Sequence, residues 1–166
     1  MCGIVGYVGK NQAPSILIDG LGKLEYRGYD SAGIAVFDGN EINIAKTKGR
    51  LSNLIKLLLE NPLSGTIGIG HTRWATHGAP SDTNSHPHIS EDHKIAVVHN
   101  GIIENYMDIK EELLKEGYHF LSETDTETIA HLIDYYYKES MDFEDSVFKA
   151  VSRLEGSYAL GIICKD

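Results

Sequence analysis

CGIVGYVG, residues 2–9, has the pattern of a short strand that is apolar on both faces and carries a glycine at every third position. A strand of this kind is usually buried in a sheet, and its glycines leave room for a ligand beside the backbone. The stretch begins with Cys2, which becomes the N-terminal residue if Met1 is removed. Cys2 would then carry a thiol nucleophile and an α-amine base together. By position alone, Cys2 is more simply a small buried residue at the start of a strand.

The composition is that of an ordinary globular domain. Its 166 residues suffice for one domain with a core, and 42% of them are hydrophobic. A net charge of −9 argues against a nucleic-acid surface, and no run of Lys and Arg reverses it. Cys2 and Cys164 make no disulfide framework, and the sequence has no secretory signal and no apolar run that could span a membrane. We therefore expect a cytoplasmic protein without nucleic-acid or membrane partners.

Hydrophobic spacing predicts strands and helices in mixed order after residues 2–9. Helices are expected at about 13–25, 51–59, 105–116, 125–138 and 143–154, and strands at 32–37, 41–46, 66–71, 95–99, 102–103 and 157–164. The turn sequence Asp38-Gly39-Asn40 joins two of the strands in a hairpin. This order indicates an α+β fold with antiparallel sheets. The last apolar strand has no following element to cover it, so we expect a domain that is incomplete at its C-terminus.

Polar clusters interrupt this pattern at four places: YRGYDS (26–31), HTRWATHG (71–78), HNG (99–101) and SETDTE (122–127). In the second cluster, Arg73 beside Trp74 could form a planar, bidentate clamp for a carboxylate. A surface arginine stacked on the tryptophan explains the pair about as well. Thr76 and His77 add hydrogen-bond donors to the same loop.

Asn100-Gly101 and Asp125 each have a simple interpretation and a chemical one. Asn-Gly is most simply a hairpin turn. The alternative is an oxyanion hole made by the Asn100 side-chain amide and the Gly101 N–H. Asp125 starts a predicted helix and is most simply its N-cap, although its carboxylate could instead bind an ammonium group of a ligand.

A long irregular loop is expected at residues 73–93, and long loops in compact domains are often functional. Within it, His86, His88 and His93 suggest a metal site. Their spacing matches neither a helical histidine pair nor a recognised ligand set. No phosphate-binding loop or dinucleotide fingerprint is present, so we expect neither a metal nor a cofactor.

Together the motifs are similar to those of one family. The sequence contains, in order, MCGIVG (1–6), YRGYDSAG (26–33), GHTRWATHG (70–78), HNGIIEN (99–105) and SETDTE (122–127). Over nearly its whole length the chain resembles the glutaminase domain of class II, N-terminal-nucleophile glutamine amidotransferases. Within that family it most resembles the members that pass ammonia to fructose 6-phosphate to form glucosamine 6-phosphate. The alternatives are another class II member, such as an amidophosphoribosyltransferase, and a non-catalytic module with a buried Cys2.

The resemblance implies a four-layer αββα sandwich of two antiparallel sheets. It also implies that Met1 is removed and that Cys2 attacks the side-chain amide of L-glutamine, with its own α-amine as the general base. Asn100 and Gly101 would hold the oxyanion, and Arg27 would support the nucleophile. Ammonia would leave, and water would then release glutamate from a γ-glutamyl thioester.

The same resemblance assigns the substrate contacts. Arg73 would hold the α-carboxylate of glutamine, and Asp125 would hold its α-ammonium group. Trp74, Thr76 and His77 would complete the pocket in a loop that closes over the substrate. A full-length chain of this family would add a sugar-phosphate isomerase domain and form a homodimer. Residues 1–166 contain nothing that resembles the isomerase domain, so we expect glutamine hydrolysis from them but no amino sugar.

Overall fold

The computed structural model describes residues 2–74 and 78–166. The elements are β1 (Gly3–Val8), α1 (Ala13–Leu24), a 3-10 turn (Glu25–Arg27), β2 (Ser31–Phe37), β3 (Ile42–Lys48), α2 (Leu51–Glu60), β4 (Ile67–Arg73), β5 (His88–Ile89), β6 (Ile95–Ile103), α3 (Tyr106–Lys115), α4 (Asp125–Ser140), α5 (Phe143–Arg153) and β7 (Gly156–Cys164). The predicted helices and most predicted strands are confirmed. The exceptions are β5, which lies within the loop expected at 73–93, and β6, which joins two segments that were expected to be separate.

The first sheet has the strand order β1-β4-β2-β3 and is antiparallel throughout. β2 and β3 form the predicted hairpin. Because side chains alternate between the faces of a strand, Gly68 and Gly70 of β4 face α1, and Ile69 faces the second sheet. A Cβ on Gly68 would lie 2.9 Å from Leu17 Cδ1, so glycine lets α1 pack directly on β4.

The second sheet has the order β5-β6-β7. β6 and β7 pair along their whole lengths, residues 95–103 against residues 156–164. The interpretation of Asn100-Gly101 as a hairpin turn is therefore wrong, because both residues lie inside β6. Gly101 has φ +121°, and a Cβ there would lie 2.2 Å from the carbonyl oxygen of Ser157. Only glycine lets β6 pass this point while it stays paired with β7.

Three apolar cores separate four layers. Leu17, Leu21 and Leu54 belong to the core between the first sheet and helices α1 and α2. Ile69 and Val98 belong to the core between the two sheets, and a third core joins the second sheet to α3, α4 and α5. Each fully buried aliphatic side chain contributes about 1.5–3 kcal/mol relative to exposure. The structure is thus the αββα sandwich that the family resemblance implies, and the α+β prediction is confirmed.

None of the helices in residues 2–74 and 78–166 is long and apolar enough to cross a membrane.

Candidate active site

The candidate nucleophile lies next to the end of β4. β1 pairs with β4 so that Gly3 is opposite Thr72, and Cys2 therefore lies beside the last residues of β4. The Trp74 N–H donates to Cys2 Sγ at 3.1 Å, and the Cys2 thiol lies 3.4 Å from the Trp74 carbonyl oxygen. Cys2 is half-buried and forms no disulfide. Its sulfur is thus held by the backbone while one side stays accessible.

Alternation along β6 separates the side chains of His99 and Asn100. Asn100 lies on the face toward the first sheet, where its Nδ2 donates to the carbonyl oxygen of Cys2 at 3.3 Å. The Asn100 Oδ1 lies 2.8 Å from Nε2 of His71 on β4. His99 lies on the opposite face, where its Nδ1 is 3.0 Å from Thr126 Oγ1 on α4. Adjacent residues of one strand therefore contact two different layers of the sandwich.

A cavity of about 730 Å³ opens beside Cys2. Its lining includes every predicted site residue that the structure describes: Cys2, Arg27, Arg73, Trp74, Asn100, Gly101 and Asp125. Thr76 and His77 lie outside the described residues. The volume lies within the usual range for small-molecule sites. The cavity thus brings a thiol, an amide, a guanidinium and a carboxylate to one place.

Arg73 is buried, with only 3% of its surface exposed. Its Nη2 donates to the carbonyl oxygen of Gly78 at 3.0 Å, and its Nη1 lies 4.0 Å from Asp30 Oδ1. The interpretation as a surface arginine is therefore wrong. Trp74 is 56% exposed and packs over Gly28, where a Cβ would lie 2.6 Å from Trp74 Cε3. The guanidinium is thus buried against Gly78 and Asp30, while the indole is an exposed part of the cavity lining.

Asp125 is the first residue of α4, and the N-cap is Thr124, whose Oγ1 accepts from the Glu127 N–H. The interpretation of Asp125 as the N-cap is therefore wrong. The Ile103 N–H donates to Asp125 Oδ2 at 2.9 Å, and Oδ1 lies 3.7 Å from His99 Nδ1, beyond hydrogen-bonding distance. A carboxylate at the N-terminus of a helix is favoured by the helix dipole. The helix thus stabilises a buried negative charge at the edge of the cavity.

Four imidazoles are buried at the cavity: His71, His86 and His99 belong to its lining, and His88 lies next to His86. The His71 and His86 rings stack with centroids 4.2 Å apart, and His88 contacts His86 edge-on at 5.0 Å. Burial lowers the pKa of His71 to about 4, and it also holds the pKa of His86 and His88 well below the ordinary value. The rings of His71, His86 and His88 are therefore uncharged at neutral pH.

The suggested metal group does not assemble among the described residues. His86 and His88 join the buried imidazoles, whereas His93 is exposed at a turn with φ +60°. In residues 2–74 and 78–166 no three His, Cys, Asp or Glu side chains are placed to bind a metal ion. His71 belongs to the polar cluster at residues 71–78, but no role was predicted for it. Its signal was the alternation along β4, which puts His71 on the same face as Arg73.

The segment that carries His86 and His88 is fixed by Lys46 of β3. Lys46 Nζ donates at 2.9–3.3 Å to three backbone carbonyl oxygens, those of Thr83, Ser85 and Pro87. Burial lowers the pKa of Lys46 to about 8. The second anchor is Asn84, whose side chain bonds to both the backbone N–H and the carboxylate of Glu123. His86 and His88 thus belong to a segment that side-chain hydrogen bonds hold in place at residues 83–87.

The sequence matches a family model described as "Glutamine amidotransferase domain" over residues 71–166. Over all 166 residues the chain is 61% identical to the glutamine–fructose-6-phosphate aminotransferase [isomerizing] of Caldanaerobacter subterraneus subsp. tengcongensis and 61% identical to that of Clostridium perfringens. These matches cover 100% of this chain and 27% of each relative. The chain therefore spans about a quarter of the length of the curated relatives it matches.

The fold is similar to that of a solved glutamine phosphoribosylpyrophosphate amidotransferase from B. subtilis, complexed with ADP and GMP. The TM-score is 0.83 at 30% identity, and the match covers 99% of this chain and 35% of the other. This relative corresponds to the runner-up that the sequence suggested. Its sequence identity to this chain, 30%, is about half the 61% of the aminotransferases, so it matches as a related class II protein.

Proposed function

The chain belongs to the glutamine amidotransferase domain family, and from that premise we propose that it hydrolyses the side-chain amide of L-glutamine with Cys2 as the nucleophile. The observation that carries the proposal is the single cavity lined by Cys2, Asn100, Arg73 and Asp125. These groups match the four parts of the reaction that need a partner: the amide carbon, its oxygen, the α-carboxylate and the α-ammonium group.

The nucleophile and its base both belong to Cys2. Removal of Met1 frees the α-amine, which titrates near neutral pH and can accept the thiol proton. The sulfur then attacks the amide carbon of glutamine. The backbone contact between the Trp74 N–H and Cys2 Sγ at 3.1 Å supports this step, because a donor at that distance stabilises a thiolate.

The developing negative charge on the amide oxygen needs donors that are already in position. We assign this role to the Asn100 Nδ2 and the Gly101 N–H, both at the cavity. The α-ammonium of Cys2 returns its proton to the leaving nitrogen, the C–N bond breaks, and ammonia and a γ-glutamyl thioester form. Water, deprotonated by the same amine, attacks the thioester, and glutamate leaves as the thiol is restored.

Arg73 and Asp125 give the site its preference for an amino acid. The guanidinium offers two parallel N–H donors to the α-carboxylate, and the Asp125 carboxylate accepts from the α-ammonium group. Trp74, Thr76 and His77 are proposed to complete the pocket above the substrate. Arg27 is proposed to support the nucleophile. It lies at the end of the 3-10 turn, next to Gly28, against which the Trp74 ring packs.

We propose fructose 6-phosphate as the acceptor of the ammonia in the full-length chain. The relatives that are 61% identical to this chain are named for that acceptor, whereas the phosphoribosylpyrophosphate amidotransferase is 30% identical. The acceptor reaction would take place in a sugar-phosphate isomerase domain, in a homodimer. A cytoplasmic location would keep the Cys2 thiol reduced. Residues 1–166 are then the glutaminase domain, which hydrolyses glutamine without making glucosamine 6-phosphate.

The test is glutamate release by the 166-residue chain, measured together with its intact mass. We expect glutaminase activity, a mass that lacks Met1, and complete loss of activity in Cys2→Ala. Cys164→Ala is the matched control, because it removes the other free thiol, on β7, and leaves the cavity intact. Unchanged activity in Cys2→Ala, or full activity in a protein that retains Met1, would overturn the mechanism.

A further inference from the structure

The Asn100 side chain can stabilise an oxyanion only in one of its two orientations. The amide Nδ2 donates hydrogen bonds, whereas Oδ1 only accepts them, and a rotation of 180° about χ2 exchanges the two ends. With Oδ1 toward the cavity, Asn100 would repel the oxyanion. The site therefore needs something that holds the amide with its nitrogen toward the cavity.

Two neighbours fix the orientation from opposite ends. The carbonyl oxygen of Cys2 can only accept a hydrogen bond, and it lies 3.3 Å from Asn100 Nδ2. At the other end, His71 Nε2 lies 2.8 Å from Asn100 Oδ1. Because Oδ1 has no hydrogen to give, His71 must donate, and its Nε2 must carry the proton. The Cys2 contact is the longer of the two, so His71 makes the closer restraint.

We propose that His71 is a positioning residue, which holds the Asn100 amide in its productive orientation through an Nε2–H···Oδ1 hydrogen bond. The inference rests on the proposed role of Asn100 at the oxyanion. Burial lowers the pKa of His71 to about 4, so the ring is neutral at pH 7 and has a single N–H. That one proton is on Nε2, where the bond needs it.

The buried imidazoles hold the His71 ring in place. His71 stacks on His86 with an interplanar angle of 15°. His86 is itself fixed, because the His99 N–H donates to its Nδ1 at 3.3 Å and its Nε2 lies 3.3 Å from Thr126 Oγ1. The Nδ1 of His86 is thus an acceptor, and its proton is on Nε2. The ring of His71 therefore has a support with a fixed position.

The bond also joins the two sheets at the site. His71 belongs to β4 in the first sheet, and Asn100 belongs to β6 in the second. Cys2 lies on the side of the first sheet. The distance from Cys2 to the Asn100 side chain thus depends on contacts between the two sheets. Of the two contacts that Asn100 makes with the first sheet, the bond to His71 at 2.8 Å is shorter than the bond to the Cys2 carbonyl oxygen at 3.3 Å.

Paired variants of His71 test the proposal. His71→Leu keeps much of the volume and removes the donor, whereas His71→Gln places an amide N–H near the position of Nε2. We expect kcat for glutamine hydrolysis to fall about tenfold or more in His71→Leu, toward the 10²–10³-fold that follows loss of an oxyanion donor. We expect KM to change by less than about threefold, because Arg73 and Asp125 are untouched, and we expect His71→Gln to recover most of the lost kcat.

Alkylation of Cys2 by iodoacetamide separates positioning from a general loss of structure. That substitution forms no oxyanion, so its rate should be unchanged in His71→Leu. His131→Leu is the matched control for the loss of a buried, hydrogen-bonded histidine. His131 is also buried, and its Nε2 lies 3.1 Å from the His119 carbonyl oxygen, but it is not part of the cavity lining. A wild-type kcat in His71→Leu, or an equal loss of kcat and alkylation rate, would overturn the proposal.

An NMR measurement tests the bond without any activity. In the chain labelled with ¹⁵N-histidine, the neutral Nε2–H tautomer of His71 is expected at pH 7, and Asn100→Ala should shift its Nε2–H signal. A charged His71 or an Nδ1–H tautomer would overturn the inference. If the wild-type chain releases no glutamate but His71 has the expected tautomer, the proposed function fails and the restraint on Asn100 stands.

Discussion

Replacement of Gly101 by alanine should separate the geometry of the oxyanion site from the general cost of a strained backbone. Gly101 has φ +121°, a conformation that costs an L-residue about 1–3 kcal/mol. The new Cβ would also lie 2.2 Å from the Ser157 carbonyl oxygen. That atom belongs to the backbone of β7, so it cannot move away by a side-chain rotation, and β6 and β7 must separate by about 1 Å to reach ordinary contact.

Gly39→Ala is the control for this prediction. Gly39 has φ +101°, and no atom lies within 4 Å of the position of its Cβ. It therefore has the strained backbone without the collision, in the hairpin between β2 and β3. We expect Gly39→Ala to lower the free energy of unfolding by about 1–3 kcal/mol. Gly101→Ala should lower it by a further 1–3 kcal/mol or so, the usual cost of overpacking.

Gly101→Ala and Gly39→Ala should differ more in kcat than in the free energy of unfolding. A displacement of about 1 Å in a catalytic group can cost about 10²-fold in rate, so kcat should fall about 10²-fold in Gly101→Ala and stay near the wild-type value in Gly39→Ala. Urea unfolding and steady-state glutaminase assays measure the two effects. Equal losses of stability in both variants, with kcat of Gly101→Ala within twofold of wild type, would refute the reasoning.

Three further predictions concern ionisable side chains at the cavity. Asp125→Asn keeps an acceptor for the Ile103 N–H but loses the charge. Loss of one partner of a buried charge pair costs about 2–5 kcal/mol, so KM for glutamine should rise by about 30-fold or more. An unchanged KM would contradict the assignment of Asp125 to the α-ammonium group. Arg73→Lys loses the bidentate fork, and KM should rise about tenfold while the rate of Cys2 alkylation stays constant. Because the pKa of His71 falls from 6.5 in the unfolded chain to about 4 in the folded one, the unfolded chain binds more protons between these values. Stability should therefore be lost as pH falls from 6.5 toward 4, by up to about 3 kcal/mol from this residue, and urea unfolding of His71→Gln should show a flatter pH dependence than the wild-type chain.

Local pattern was enough to predict the layers of the fold. Leu51 and Leu54 indicated an amphipathic helix, and α2 runs from Leu51 to Glu60. The turn sequence at residues 38–40 predicted the hairpin of β2 and β3. These features depend on residues that are close in sequence, so periodicity and turn chemistry suffice to identify them.

The hairpin turn expected at Asn100-Gly101 is wrong because the local structure is decided by a distant strand. Asn-Gly favours a two-residue turn, but β6 pairs through this point with residues 158–159 of β7. Long-range pairing overrode local turn preference. The same reason explains why no role was predicted for His71, since its partner on β6 is 29 residues away in sequence and follows from how the two sheets pack.

The error at Asp125 is of a different kind. The sequence placed the start of α4 correctly but assigned the cap to the wrong residue by one position. Thr124 and Asp125 are both good N-cap residues, and the sequence alone does not say which of them the first turn uses. The one-position difference decides the chemistry, because the carboxylate of Asp125 is directed to Ile103 and the cavity instead of to its own helix.

The division of the site between two sheets has a consequence for the order of folding. Cys2 and Asn100 are 98 residues apart in sequence, and their contact exists only when the first and second sheets have docked. Contacts of such long sequence separation form late, because the loop between them must first be closed. During synthesis or refolding, a half-formed chain would therefore expose the Cys2 thiol without Asn100, the proposed oxyanion donor. Glutaminase activity should return with the last docking step, which makes turnover itself a sensitive reporter of complete folding.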